Sequence, residues 1–228
     1  MPSKPLALLV LLENVGHIHG LTLPSWVRAT IDFVSEAYAK FILLLYGAHR
    51  AYDRVVVLED ARANGAELRE ALLRLSETHR VDLLLLVHGV DKGLVGYRGH
   101  IIGEETFARL RQAVRARPDS VDLRVVFGIN CHGASLVPLW RELGAKAVSG
   151  AAGVNWFPEP LLSSFLLTWL RGRTFEESVA RANRAVSKLK PFLKRYPESF
   201  TSSFQWVTGE TVTLKERTVS YVSQSAAD

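Results

Sequence analysis

Short runs of Leu, Val and Ile alternate along the chain with longer stretches whose apolar residues recur at helical spacing. Leu6–Leu12 reads as a first buried strand, and Trp26–Tyr46 as a helix entered through Pro24–Ser25. Arg54–Leu58 reads as a second strand, and Ala66–His79 as a helix with Leu68, Leu72 and Leu75 on one face. Val81–Val87 is apolar on both faces except at Asp82, the pattern of a parallel strand covered by helices. Gly89–Gly103 is rich in glycine and accommodates a small hairpin. Glu104–Ala116 returns to helical spacing until Pro118, Asp119 and Ser120 stop it. A fourth strand follows at Leu123–Ile129, a short helix at Leu136–Leu143 and a fifth strand at Ala145–Gly150. Leu161–Leu170 and Thr174–Leu193 read as helices, and Phe204–Leu214 as a closing hairpin or edge strand.

This order predicts an α/β protein, a three-layer α/β/α sandwich built on a mostly parallel central sheet. No linker, internal repeat or low-complexity segment divides residues 1–228, so one domain is expected. Composition narrows the picture. With 48% hydrophobic and 22% charged residues the chain can bury a core, which excludes wholesale disorder. No apolar run reaches the roughly 18 residues a membrane helix needs. A single cysteine excludes an internal disulfide and a Cys-rich zinc site, and a cytoplasmic protein is expected.

In doubly wound sheets, functional groups gather beyond the carboxyl ends of the strands. The third strand ends in His88–Gly89, and the fourth in Asn130–Cys131–His132–Gly133. If these strands are neighbours, a histidine and the only cysteine share one sheet edge. That pairing serves a thiolate nucleophile, because an imidazole can withdraw the thiol proton and return it to a leaving amine. The helix near Leu136 is expected to add a little positive potential. All seven histidines lie at or before position 132. Papain-like proteases and class I amidotransferases, whose histidine follows the cysteine, are therefore excluded.

The two blocks Leu83–Gly89 and Val125–Gly133 resemble the caspase-like cysteine peptidases: caspases, metacaspases, legumains, gingipains and the module found with tetratricopeptide repeats. In that family a hydrophobic strand ending in His-Gly precedes one ending in the nucleophilic cysteine, and Cys131–His132 resembles the Cys-His of metacaspases. The resemblance implies a caspase-like fold and a single-chain endopeptidase with Cys131 as nucleophile and His88 as general acid/base. It further implies an oxyanion hole formed by the N–H groups of Gly89 and Cys131. Protein or peptide substrates are implied as partners, with a regulatory protein partner in place of activating cleavage, because only a short segment separates Cys131 from the fifth strand.

The chain departs from the family where metacaspases place an acidic residue two positions before the cysteine. Here that position is Ile129, which gives no support for basic specificity. Ile129, Asn130, Asp91, Asn155 and Trp156 are the candidate substrate-binding residues, with Glu13 and Glu159 as further acids able to enter a pocket. Trp156 stands where the family pairs with substrate backbone. No cofactor or metal is expected: His17 and His19 lack a carboxylate or second cysteine to complete a ligand set, and Gly93, Gly96, Gly99 and Gly103 lack phosphate-loop spacing. Two other readings remain. One is a catalytically silent caspase-like binding domain. The other is a nucleic-acid binder using Arg171, Arg173, Arg181, Arg184, Lys188, Lys190, Lys194 and Arg195, in a chain of net charge +5 and pI near 9.5.

Overall fold

A computed structural model describes residues 4–13, 37–155, 159–188, 204–208 and 212–214. Its strands are β1 (Leu6–Glu13), β2 (Arg54–Leu58), β3 (Arg80–Val90), β4 (Gly93–Val95), β5 (Ile101–Ile102), β6 (Leu123–Gly128), β7 (Ala147–Ala151) and β8 (Phe204–Thr208). The helices are α1 (residues 37–45), α2 (Ala48–Ala51), α3 (Gly65–Thr78), α4 (Glu104–Ala116), α5 (Val137–Glu142), α6 (Leu161–Trp169) and α7 (Phe175–Ser187).

The sheet runs β2-β1-β3-β6-β7-β8. The first five strands are parallel and β8 closes one edge antiparallel to β7. β4 and β5 form a small antiparallel extension on the end of β3. Two apolar layers sandwich the sheet. On one face Leu8, Val10, Leu84, Phe127 and Ile129 pack against α1, α6 and α7. On the other Leu9, Leu11, Leu83, Leu85 and Val126 pack against α3, α4 and α5. Strand alternation sends successive side chains into opposite layers, which is why these central strands are apolar on both faces apart from the buried Asp82 and Arg124 near their amino ends.

Local signals set the helix starts. The Asn64 side chain accepts from the N–H groups of Ala66 and Glu67, both at 3.0 Å, to cap α3. Thr174 and Glu177 form a reciprocal capping box at the start of α7. The expected three-layer arrangement is the one found, and the tail supplies an edge strand. The amino-terminal part of the expected 26–46 helix and the end of the 174–193 helix lie outside the described residues.

Two elements differ from expectation. β3 runs three residues further than Val87, because the turn at Asp91–Lys92 folds β4 back onto His88, Gly89 and Val90. The segment after Cys131 begins as a 3₁₀ turn, Gly133–Leu136, before the six-residue α5. So short an element aligns few peptide dipoles, which weakens the expected positive potential.

Polar residues cross the core at the amino ends of the strands. Asp82 receives Nε and Nη2 of Arg124 at 2.8 and 2.5 Å, and the Tyr52 hydroxyl at 2.7 Å. Trp169 donates its indole N–H to the Tyr52 oxygen at 2.7 Å, and Arg124 also reaches the Thr213 carbonyl at 2.6 Å. Asp82 and Arg124 are each 1% exposed, so the network stays in place only because the two charges neutralise one another and their donors are used.

Candidate active site

Three strand ends build the site. In the β3–β6 ladder the register shifts after the Val81–Leu123 pair, and from Asp82 on each residue faces one 43 positions further along: Leu83 faces Val126, Leu84 faces Phe127 and Leu85 faces Gly128. The last contact is the Ile129 N–H donating to the Leu85 carbonyl at 3.1 Å. The ladder ends there, with His88 still within β3 and Cys131 three residues past the end of β6, at the carboxyl ends of adjacent strands. Leu84 and Leu86 lie in the α1/α6/α7 layer, and His88, still within β3, continues that alternation, whereas Cys131 stands in the turn that follows Ile129.

Beyond the ladder the β6 chain turns sharply. His132 takes left-handed backbone angles, φ 53° and ψ 20°. Its N–H donates to the Gly153 carbonyl at 2.9 Å and so ties the turn to the exit of β7. Ser135 ties it to the β3–β4 hairpin: its hydroxyl donates to the His132 carbonyl at 2.7 Å and accepts the Lys92 N–H at 2.8 Å. Small residues allow the close approaches. A Cβ on Gly89 would lie 2.0 Å from the Cys131 carbonyl oxygen, and one on Gly150 would lie 2.3 Å from the Gly133 carbonyl carbon. Asn130, 1% exposed, donates its Nδ2 to the Cys131 carbonyl at 3.3 Å.

The Cys131 sulfur rests between the two main-chain groups of Asn155. The Asn155 N–H donates to Sγ at 3.2 Å, and the Asn155 carbonyl stands 3.4 Å away as acceptor for the thiol proton. The Asn155 carboxamide in turn donates to the Ile129 carbonyl at 2.8 Å. Cys131, His88 and Gly89 are all half-buried.

The remaining candidates spread apart. Ile129 packs in the core and Asn130 is buried, so both can shape a site mainly through their backbone. Asp91 is exposed in the hairpin turn. The Glu159 carboxylate caps α6, accepting the Ser163 hydroxyl at 2.8 Å and the Ser163 N–H at 3.3 Å. Glu13, opposite Val87, follows Leu9 and Leu11 onto the α3/α4/α5 face, away from the series that includes His88. Trp156, His17 and His19 lie outside the described residues. Among the described residues no group of three or more His, Cys, Asp or Glu side chains is arranged to hold a metal ion. Nor is any helix there long and apolar enough to cross a membrane. Sequence reasoning missed Ser135, whose only signal is its position four residues after Cys131, and Arg124, an isolated cation inside an apolar strand.

Sheet order, layers and crossing points together define a caspase-like α/β fold. Among solved structures it resembles the crystal structure of the Arg-specific cysteine proteinase gingipain R, with a TM-score of 0.52 over 86% of this chain at 12% sequence identity. The chain spans 43% of the length of that protein. At such identity the likeness is one of fold. No family model matches the sequence. No curated protein matches it either.

Proposed function

We propose that this chain is a member of the caspase-like superfamily and a cysteine endopeptidase acting on protein or peptide substrates through Cys131 and His88. The observation that carries the reading is the β3–β6 register, whose offset of 43 residues equals the separation of the two residues. A histidine and a cysteine brought to one sheet edge by adjacent strands have the arrangement that thiol-dependent acyl transfer requires. The gingipain-like fold supports the same conclusion. A cytoplasmic, reducing setting would keep the single thiol free to react.

In this mechanism the Cys131 sulfur attacks the scissile carbonyl carbon while its proton passes to His88. The carbonyl π electrons move to oxygen, and the resulting oxyanion takes hydrogen bonds from the Gly89 and Cys131 N–H groups. Collapse breaks the C–N bond as His88 protonates the leaving amine, and a thioester remains. His88 then deprotonates a water that attacks the thioester, releasing the carboxylic acid and restoring the thiol.

The test is covalent labelling with a library of peptidyl electrophiles, read by mass spectrometry on the intact protein and on Cys131→Ala. One adduct on Cys131, absent from the variant and depending on the peptide sequence, is expected. A folded protein that takes no adduct across the library would leave the silent binding domain as the better reading.

A further inference from the structure

We infer that Asn155 is a positioning residue for the Cys131 nucleophile, an inference that rests on the peptidase reading above. Three hydrogen bonds carry it. The main chain of Asn155 meets the sulfur twice, N–H to Sγ at 3.2 Å and thiol to carbonyl at 3.4 Å. The side chain meets the backbone two residues earlier on the same strand end, Nδ2 to the Ile129 carbonyl at 2.8 Å.

The division of labour follows from the geometry. A main-chain N–H can hold a sulfur only if its own residue is held, and Asn155 lies outside the regular ladder, four residues beyond the end of β7. Its carboxamide provides that hold by bonding the Ile129 carbonyl, which lies past the last β3–β6 hydrogen bond. Position 155 is thereby fixed against both 129 and 131. The N–H is the donor the thiolate uses, since a thiolate only accepts, and the carbonyl is the acceptor the neutral thiol uses. One residue therefore serves the sulfur in both protonation states through which the proposed reaction passes. The two contacts also set the side-chain rotamer from the β7 side.

The experiment uses the full chain with Asn155→Leu and Asn155→Asp, both close in size to Asn155. Reactivity of Cys131 is read with a pyridyl disulfide, which reacts with thiols at acid as well as neutral pH, alongside kcat and KM on a cleaved peptide. Losing one positioning hydrogen bond is expected to slow thiol reaction and lower kcat by about tenfold in Asn155→Leu, with KM within about twofold. In Asn155→Asp the deficit should depend on pH. A protonated carboxyl can still donate to the Ile129 carbonyl, so the ratio to wild type should approach one below the ordinary carboxylate pKa of about 4 and fall above it. A merely structural role would give no such crossover. Faster thiol reaction in both variants would overturn the inference and make Asn155 a restraint on the sulfur. Unchanged thiol reaction in both, with normal turnover, would overturn it as well. Absence of turnover in the wild type, with the thiol-reaction deficits intact, would instead sink the peptidase reading while leaving the contact established.

Discussion

Gly89 and the Cys131 carbonyl meet so closely that a Cβ at position 89 would lie 2.0 Å from the carbonyl oxygen. The obstacle is backbone, so nothing flexible can move aside. Gly89→Ala is expected to push the two strand ends apart, costing about 1–3 kcal/mol of stability and abolishing Cys131 labelling. Gly99, in the hairpin region, is the control: a Cβ there would meet nothing within 4 Å, although its φ of 79° makes alanine locally strained. Gly99→Ala should therefore lose some stability and keep its labelling. Equal labelling in both variants would contradict the proposed role of the 89–131 contact.

Two histidines compete for the part of base. His132 adjoins the cysteine but sits in a left-handed turn whose N–H and carbonyl are committed to Gly153 and Ser135. His88 comes from the neighbouring strand. His88→Ala should lower peptide turnover by roughly two to four orders of magnitude, the usual range for a general acid/base, while His132→Ala should retain substantial activity. The reverse ranking in measured kcat/KM would reassign the roles.

Specificity before the scissile bond should not favour Lys or Arg. Ile129 packs in the core, and the Glu159 carboxylate is taken by Ser163. Profiling on a peptide library is expected to show no marked basic preference. Strong cleavage after Arg that disappears in Asp91→Asn would place the exposed hairpin acid in the pocket.

The buried Asp82–Arg124 pair should matter for stability and not for chemistry, since it lies at the opposite ends of β3 and β6 from the site. Arg124→Met strands a buried carboxylate and should cost about 3–5 kcal/mol in urea unfolding. Replacing both partners, with Asp82→Leu added, should recover much of that loss. A double variant as unstable as the single one would show that the pair's charges are not what the core needs neutralised.

Alkaline pH should act through Tyr52. Burial first, and the nearby Asp82 charge second, hold its hydroxyl well above the ordinary tyrosine value. The folded state thus keeps a proton that the unfolded chain gives up near pH 10. Stability from this group is intact below that pH and declines as pH rises beyond it. Urea midpoints from pH 8 to 11 should therefore fall more steeply in the wild type than in Tyr52→Phe, and parallel slopes would refute the assignment.

Element order and layer architecture were legible in the chain itself, because alternation and helical spacing are local properties of successive residues. The apolar runs of β1, β3 and β6 require cover on both faces, and the two helical layers supply it. The His-Gly and Cys-His-Gly strand endings were legible for the same reason, as motifs attached to those runs. Register was not. Which residues of β3 and β6 face one another is decided by hydrogen bonds between the strands, and a slip of one would reverse the face of every side chain. The extra length of β3 was hidden as well, since it comes from pairing with β4 across a turn. So was the Asn155 contact: its partners are 24 and 26 residues away and meet only when β7 packs beside β6. Sequence spacing decided which residues could carry the chemistry, and inter-strand hydrogen bonding, a contact between segments remote in the chain, decided how they stand to one another.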